Sequence, residues 1–262
     1  MTAIRHPAVA GMFYPDNPRE LDQMVRQFLA STQVEGPVPK AIIAPHAGYV
    51  YSGPVAASAY RLLIPAKDII KRVILLGPAH RVPFQGLAIP AADYFMTPLG
   101  AVAVDKQAIQ AIADLPFVVQ FDAAHEPEHS LEVQLPFLQE VLEDFKVVPI
   151  VVGDATPEEV ATVLERLWGG AETLIIISSD LSHYYDYETA KQLDAATSAA
   201  IEDLDPSRLG VESACGRIPV AGLLLAARHH NLKAETVDLR NSGDTAGPRD
   251  QVVGYGAYVF YS

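Results

Sequence analysis

The sequence predicts an α/β fold in which helices cover both faces of a central, mostly buried sheet. Short apolar runs rich in Val and Ile alternate along the chain with stretches whose apolar residues recur at helical spacing. Half of the 262 residues are hydrophobic and 19% are charged, a composition typical of a folded domain. No internal repeat, low-complexity tract or charged linker divides the sequence. We therefore expect a single domain over residues 1–262.

The predicted strands are the short apolar runs, which are bounded by polar residues, Gly or Pro. In chain order they are Lys40–Pro45, Arg72–Leu76, Gly86–Ile89, Ala101–Val104, Lys146–Val152, Thr173–Ser178, Ala234–Leu239 and Val252–Phe260. Pro149 interrupts one of these runs. Because proline has no N–H to donate to a neighbouring strand, it indicates a sheet edge or an irregularity at that point.

The predicted helices are the stretches in which apolar residues lie three and four positions apart. In chain order they are Pro54–Leu63, Lys106–Ala113, Ser130–Leu142, Pro157–Leu167, Glu188–Glu202 and Ile218–His229. Thr156 and Glu159 form a capping box at the start of the fourth helix. Pro136 lies in the first half of the third helix, which predicts a late start or a kink there.

The charge balance excludes two classes of partner. The chain has 19 Lys and Arg against 32 Asp and Glu, a net charge of −13, which opposes binding to nucleic acid or to anionic membranes. Its one cysteine cannot form an internal disulfide, and the segment MTAIRHPAVAGMFYP has no apolar signal core. We therefore expect a cytoplasmic protein with no nucleic-acid or membrane partner.

Three histidines follow three predicted strands. His46 comes after Lys40–Pro45, His80 after Arg72–Leu76, and His183 after Thr173–Ser178. Ligands of open α/β sheets bind at the carboxyl ends of the strands, so these histidines are expected to converge on one crevice. Neutral imidazole is the commonest protein ligand for Zn, Cu, Fe and Ni. The pattern therefore predicts a metal site.

Two further residues near these histidines have more than one interpretation. Cys215 is either a buried apolar residue or a reactive thiolate. A helix starting near Ile218, together with Arg217, would lower its pKa and make it a metal ligand or a nucleophile. Asp180 could orient a histidine, exchange a proton or cap the following turn.

The stretch from His125 to His129 looks at first like the H-E-x-x-H helix of zinc proteases. Pro127 occupies its third position and would disrupt such a helix. We therefore expect His129 to point into the crevice, with Glu128 or Glu132 as a hydrogen-bonding partner of pocket groups. A metal held between the two histidines is not expected.

Six segments, spread from the first ten residues to the last fifth of the chain, resemble the MEMO family, known in bacteria and archaea as AmmeMemoRadiSam system protein B. They are Arg5–Tyr14 (RHPAVAGMFY), Ala44–Gly53 (APHAGYVYSG), Leu76–His80 (LGPAH), Glu128–Pro136 (EHSLEVQLP), Ser178–Tyr184 (SSDLSHY) and Cys215–Pro219 (CGRIP). The resemblance covers essentially the whole sequence. It implies a fold similar to the class III extradiol ring-cleaving dioxygenases, in which two histidines and a carboxylate hold non-haem iron.

The resemblance also implies roles for individual residues. His46, His80 and Cys215 match the metal ligands, His183 matches an acid/base histidine, and Asp180 is its neighbour in the pocket. A thiolate in place of the carboxylate shifts the preference toward Cu, Zn or thiolate-ligated iron. Iron or copper is the expected ion, with zinc as the alternative.

Two residues join His129 as further expected members of the pocket. Tyr51 belongs to the same segment as His46, and Asp244 belongs to a polar turn after a predicted strand.

Three functions remain open from the sequence. The first is a metal-dependent, dioxygenase-like redox enzyme of unknown substrate, and the second is a non-enzymatic protein that binds metal or a peptide. The third is a hydrolase with Cys215 as nucleophile and His183 as base. Eukaryotic members of the family are associated with signalling and phosphopeptide binding. The family name implies a functional link to a radical SAM protein and an AMMECR-type protein.

Overall fold

The computed structural model of the protein describes residues 2–262 and contains a large mixed sheet with helices on both faces, which confirms the predicted fold class. Its strands are β1 (Ile4–Arg5), β2 (Ala41–Ala44), β3 (Arg72–Pro78), β4 (Leu87–Ile89), β5 (Tyr94–Thr97), β6 (Gly100–Val104), β7 (Val118–Gln120), β8 (Lys146–Val152), β9 (Thr173–Ser178), β10 (His183–Tyr185), β11 (Lys233–Asn241) and β12 (Val252–Tyr261). The strand order is β1-β5-β6-β8-β3-β9-β2-β12-β10. Strand β11 also pairs with β12, and β4 joins β7 to β8.

The helices form two groups that pack on this sheet. Their bounds are α1 (Pro18–Ser31), α2 (Tyr49–Tyr60), α3 (Lys106–Ile112), α4 (Asp122–His125), α5 (Leu135–Val141), α6 (Pro157–Leu167), α7 (Tyr187–Glu202) and α8 (Arg217–His229). Helices α1, α2 and α5 contact one another, α6 contacts both α3 and α8, and α7 packs on β11 and β12. Among residues 2–262 we find no helix that is both long enough and apolar enough to cross a membrane.

Four adjacent strands at the centre of the sheet run parallel. Strand β3 pairs in parallel with β8 and β9, and β9 pairs in parallel with β2. Their side chains are buried and largely β-branched, as expected for strands covered on both faces. Because the strands are parallel, their carboxyl ends lie at one edge of the sheet. This edge carries the site described below.

Pro149 lies in an interior strand, not at an edge of the sheet. Strand β8 has β3 along one side, where Pro149 is opposite Leu75. Along its other side, β6 pairs only with the first two residues of β8, and β4 only with the last two. Pro149 therefore lies in the gap between β6 and β4, where a missing N–H breaks no ladder bond on that side. The sequence correctly indicated an irregularity but not its position within the sheet.

Helices α1 and α2 depart from the prediction because packing outweighs local signals. Helix α1 was not predicted, since only Leu21, Val25 and Leu29 form its buried stripe in an otherwise polar segment. Helix α2 begins at Tyr49, five residues before the predicted start, and contains Pro54 in its interior. A side chain at Gly53 would lie 2.4 Å from the Phe28 ring of α1, so glycine permits this close contact between the two helices.

The third predicted helix shows the late start that Pro136 indicates. A 3₁₀ turn covers Glu132–Gln134, and α5 follows from Leu135 with Pro136 in its first turn. The predicted capping box at Thr156 is confirmed, because its hydroxyl accepts from the N–H of Glu159 while the Glu159 carboxylate accepts from the N–H of Thr156. Four short strands, β1, β5, β7 and β10, were not predicted.

A buried ion pair attaches the N-terminal segment to the region before α5. The Glu132 carboxylate accepts from the Arg5 guanidinium, from the N–H groups of Ala8 and Val9, and from the Tyr14 hydroxyl. Neither side chain of the ion pair is more than 4% exposed. Arg5 also donates to the carbonyl of Glu128. The pair therefore holds together two segments that border the candidate site.

Replacing Glu132 by Ala should lower the free energy of unfolding by about 3–5 kcal/mol, because it leaves the Arg5 charge buried without its partner. Urea unfolding followed by circular dichroism measures the change. The matched control is Glu143→Ala, which removes the exposed ion pair with Lys67 and should leave the unfolding midpoint nearly unchanged. Equal shifts in the two variants would contradict a special role for the buried pair.

Candidate metal centre

Three loops at the carboxyl edge of the parallel strands bring the predicted donor groups together. His46 lies two residues after β2, His80 two residues after β3, and Asp180 two residues after β9. Cys215 comes two residues before α8. One donor atom from each of His46, His80 and Cys215 lies within 4.8 Å of the other two. The structure therefore brings together a His₂Cys group that fits a transition-metal ion.

The hydrogen bonds of Ser178 fix the ring of His46. The Ser178 hydroxyl donates to the carbonyl of Ser130 at 2.6 Å and accepts from the Gln134 side-chain amide at 2.8 Å. It must therefore also accept from His46 Nδ1, which lies 2.9 Å away. The proton of His46 is thus on Nδ1, and the Nε2 lone pair faces Cys215 Sγ at 3.3 Å. This is the orientation that a metal-ligating histidine requires.

Glu128 fixes the ring of His80 in the same way. Its carboxylate accepts from His80 Nδ1 at 2.8 Å and from the N–H groups of His80, His129 and Ser130. Burial alone would raise the pKa of Glu128, but these hydrogen bonds, with His80 foremost, lower it to about 2. The carboxylate is therefore charged, and the Nε2 atom of His80 remains available to an ion.

Glu128 also belongs to a second group of neighbouring donors, with His80 and His129. Four N–H groups already occupy its two oxygens, so Glu128 is better suited to positioning His80 than to holding an ion itself. The His₂Cys group is therefore better suited to holding an ion than the group that contains Glu128.

The thiol of Cys215 is neutral in this environment, which matches the buried residue among the two interpretations that the sequence left open. Burial first, and then the charge of Asp180, raise the pKa of Cys215 to about 12. The N–H of Asp180 donates to Sγ at 3.3 Å, but this hydrogen bond and the nearby start of α8 do not offset the burial. Deprotonation therefore requires a bound cation, since metal ligation by cysteine releases the thiol proton.

A cavity of about 400 Å³ opens beside these donors. Its lining residues are Phe13, His46, Ala47, Gly48, His80, Arg81, His129, Asp180, His183, Tyr184 and Val253. The ring of His129 stacks on that of His80 with centroids 4.8 Å apart, and its buried Nδ1 makes no hydrogen bond. The predicted pocket residues His183 and Asp180 therefore face the same space as His129.

Buried imidazoles and a buried carboxyl give the cavity its electrostatic character. Burial, reinforced by the neighbouring histidines, lowers the pKa of His46 well below its usual range, and burial also lowers that of His129. Both rings are therefore neutral, as metal ligation requires. Burial raises the pKa of Asp180, whose Oδ1 accepts from the N–H of His46 at 2.7 Å.

The structure does not bring Tyr51 or Asp244 into this cavity. Tyr51 lies in the first turn of α2, is 39% exposed and is not among the residues that line the cavity. Asp244 accepts from the Tyr187 hydroxyl and from the N–H of Asn241, so its carboxylate closes a 3₁₀ turn after β11. Local hydrogen bonding accounts for its position.

The helix that an H-E-x-x-H zinc site needs does not form. Helix α4 ends at His125, two residues before Pro127. His125 is buried away from the cavity, with its Nε2 donating to the carbonyl of Ala88, while His129 lines the cavity. Of the two glutamates expected to serve pocket groups, Glu128 does so, and Glu132 instead binds the N-terminal segment.

Several residues of the site were not identified from the sequence. Ser178 is the last residue of β9, and nothing in its type distinguishes it from any strand-end serine. Phe13 and Arg81 border the cavity, and both adjoin or belong to segments that carry the family resemblance. Tyr184 also borders it, with a positive φ of 65° that only the backbone reveals.

The chain is similar to known proteins over nearly its whole length. A family model described as "Memo-like protein" matches residues 5–259. Proteins named "MEMO1 family protein" from Aquifex aeolicus and Archaeoglobus fulgidus are 38% and 37% identical to the chain, each over 98% of this chain and 99% of the relative. A further relative of that name from Aeropyrum pernix is 38% identical, over 97% of this chain and 98% of its own length.

A crystal structure of an uncharacterized protein from Escherichia coli K12 supports the fold alone. It superposes with a TM-score of 0.50 at 12% identity and covers 84% of this chain and 98% of its own.

The fold and the donor set define an α/β protein with a candidate transition-metal centre at the carboxyl edge of its sheet. The matches to the family model and to the relatives identify the family within this class. The chain belongs to the Memo family.

Replacing Glu128 by Gln should raise the Kd for a transition-metal ion by about 10–100-fold, the usual loss when an outer partner of a ligating histidine is changed. The amide keeps the size of the side chain but removes the charge that holds His80. Isothermal titration with Zn²⁺ measures the effect. Glu126→Gln is the matched control, since Glu126 is exposed two residues away. Equal affinities in both variants would show that Glu128 does not support the site.

Proposed function

We propose that the protein is a metal-dependent oxidoreductase that acts on a small molecule in the cavity beside His46, His80 and Cys215. The observation that carries the proposal is the convergence of these three donors, with both imidazoles oriented by hydrogen bonds at their Nδ1 atoms. A His₂ set completed by thiolate suits iron, copper or zinc, and a redox role favours the first two. The bound ion would supply one-electron chemistry and polarise an oxygen atom of the substrate.

His183 is the group we assign to proton transfer. It lines the cavity but is not among the three clustered donors, so its imidazole stays free for the substrate. Histidine is the side chain most often used for proton transfer near neutral pH. Burial lowers the pKa of His129, which suits that residue to accepting a hydrogen bond from the substrate.

Asp180 has a positioning role in this proposal. Its Oδ1 accepts from the N–H of His46, its N–H donates to Cys215 Sγ, and its carbonyl accepts from the N–H of Cys215. One residue therefore holds two of the three candidate ligands in place. Its Oδ2 lies 3.8 Å from His46 Nε2, close enough for its charge to favour a cation there.

The cysteine–histidine hydrolase is less well supported than the metal-dependent enzyme. A cysteine nucleophile needs a lowered pKa, whereas burial raises that of Cys215 to about 12. The histidine that faces its sulfur is His46, whose Nδ1 proton is held by Ser178 and whose own pKa is lowered by burial. Neither group is prepared for nucleophilic attack in the absence of a cation.

A binding protein without turnover is the second candidate, and exposed apolar side chains near the cavity favour it. Met12 and Val50 are 72% and 55% exposed and lie next to segments that border the cavity, and Tyr184 on its lining is 70% exposed. Apolar side chains around a pocket are typical of surfaces that bind a peptide or another protein.

Replacing Cys215 by Ser should raise the Kd for Cu²⁺ or Fe²⁺ by more than about 100-fold, because the loss of an outer partner alone costs roughly 10–100-fold. The two side chains have nearly the same size, so the thermal unfolding midpoint without metal should change little. Isothermal titration under anaerobic conditions measures the affinity. Unchanged affinity would remove Cys215 from the ligand set.

Replacing His183 by Ala should leave metal affinity intact and reduce turnover by about 10²–10⁴-fold, the usual contribution of a positioned proton-transfer group. Oxygen consumption with a panel of reductants and catechols measures turnover, and titration of the same sample measures binding. Loss of the metal would make His183 a ligand instead of a base. If the wild-type protein binds metal but consumes no oxygen with any of these compounds, the binding protein becomes the favoured function.

A further inference from the structure

Glu165, His229 and His230 form a second cluster of potential metal donors, outside the cavity described above. Glu165 lies in the last turn of α6, His229 is the last residue of α8, and His230 follows it. His229 Nδ1 is 2.9 Å from one oxygen of the Glu165 carboxylate, and His230 Nε2 is 2.9 Å from the other. All three donor atoms lie within 4.8 Å of one another.

The spacing of these atoms fits a shared ion as well as it fits hydrogen bonds. Two donors at 2.0–2.2 Å from one ion, at angles of about 90–110°, are roughly 2.8–3.6 Å apart. The two N···O distances of 2.9 Å fall within this range. Each of these two N···O pairs therefore has the separation of two ligands on one ion.

Neighbouring groups hold the ring of His230 in place and favour the binding of a cation at this cluster. The ring of His230 stacks on that of Trp168, with centroids 3.7 Å apart and an angle of 4° between the planes. A stacked ring loses little further freedom on binding, which lowers the entropic cost of ligation. The cluster also lies at the carboxyl ends of α6 and α8, where the helix dipoles attract positive charge.

We propose that Glu165, His229 and His230 bind a divalent transition-metal ion of the zinc type and thereby link the carboxyl ends of α6 and α8. Two imidazoles and one carboxylate are the donors of a three-ligand zinc site, with water in the remaining position. Water has access, because the His229 side chain is 72% exposed. Helices α6 and α8 already pack against each other, so the ion would strengthen an existing contact.

The site is independent of the proposed function. Helix α8 separates the two centres, since Cys215 precedes its first turn and His229 ends it. Its 13 residues span about 20 Å at 1.5 Å per residue. An ion at one centre therefore shares no ligand and no direct contact with an ion at the other.

Trp168 makes the proposal testable, because it is the only tryptophan of the chain and lies against a proposed ligand. Ni²⁺, an open-shell ion, quenches indole emission at short range. We expect Ni²⁺ to quench Trp168 saturably in the full-length protein after chelator treatment, and Zn²⁺ to restore the emission by competition. Isothermal titration with Zn²⁺ should give two equivalents when the His46–His80–Cys215 centre is also filled.

Two variants change the cluster and leave both residues of the stacked pair, Trp168 and His230, unsubstituted. His229→Ala and Glu165→Gln should each raise the Ni²⁺ concentration for half-quenching by at least tenfold, the smallest loss expected when even an outer partner of a ligand is removed. His6→Ala is the matched control, because His6 is an exposed histidine outside every donor cluster found among the described residues. In the His6→Ala variant, Ni²⁺ should quench Trp168 at the same concentration as in the wild type.

Cys215→Ser separates this site from the other centre. The proposal requires that this variant keeps the wild-type quenching of Trp168, whether or not it loses the other equivalent of Zn²⁺. Absence of saturable quenching in the wild type would overturn the proposal. Quenching that survives in both His229→Ala and Glu165→Gln would also overturn it, since the ion would then bind elsewhere.

Discussion

The parallel alignment of β2, β9 and β3 is the constraint on which the candidate metal centre depends. Ala44 lies opposite Ser178, and Ile177 lies opposite Leu76, so the three strands end almost level. Each polar residue that follows them starts from the same edge of the sheet. Because both faces are buried, a shift of one residue in register would exchange the faces of every side chain, and it would separate the loops that carry His46 and His80.

The segment between α4 and α5 helps to orient the donors of the centre. Ser130 and Gln134 lie between α4 and α5, and both bind Ser178, which orients His46. A side chain at Gly77 would lie 2.7 Å from the Ser130 hydroxyl, so glycine near the end of β3 lets this segment approach the strand ends. Glu132 binds the same segment to the N-terminal residues. The stretch before α5 is therefore irregular because its polar groups bind strand ends instead of continuing a helix.

The sequence was sufficient to predict elements whose signals are local. The central strands are continuous apolar runs, and α6 carries its own capping box, so both were identified with nearly correct bounds. The convergence of His46 and His80 followed from a general property of parallel sheets. The features that the sequence did not predict depend on tertiary contacts. Helix α1 packs through a narrow stripe of three buried residues, and Pro149 lies in the gap between strands β6 and β4. Burial raises the pKa of Cys215. None of these is encoded within a few neighbouring residues.

The charges around the candidate centre explain why a buried carboxyl accompanies two imidazoles and a thiol. His46 is neutral and Cys215 holds its proton, so without an ion the donors contribute no negative charge. A divalent cation would displace the thiol proton and leave one positive charge to be balanced. The Asp180 carboxylate, whose Oδ2 lies 3.8 Å from His46 Nε2, can supply that balance. Burial, which raises the pKa of Asp180 without a cation, also makes its attraction to a bound cation stronger than it would be in water. The same low dielectric therefore keeps His46 and Cys215 neutral without a cation and strengthens the attraction between Asp180 and a cation that binds.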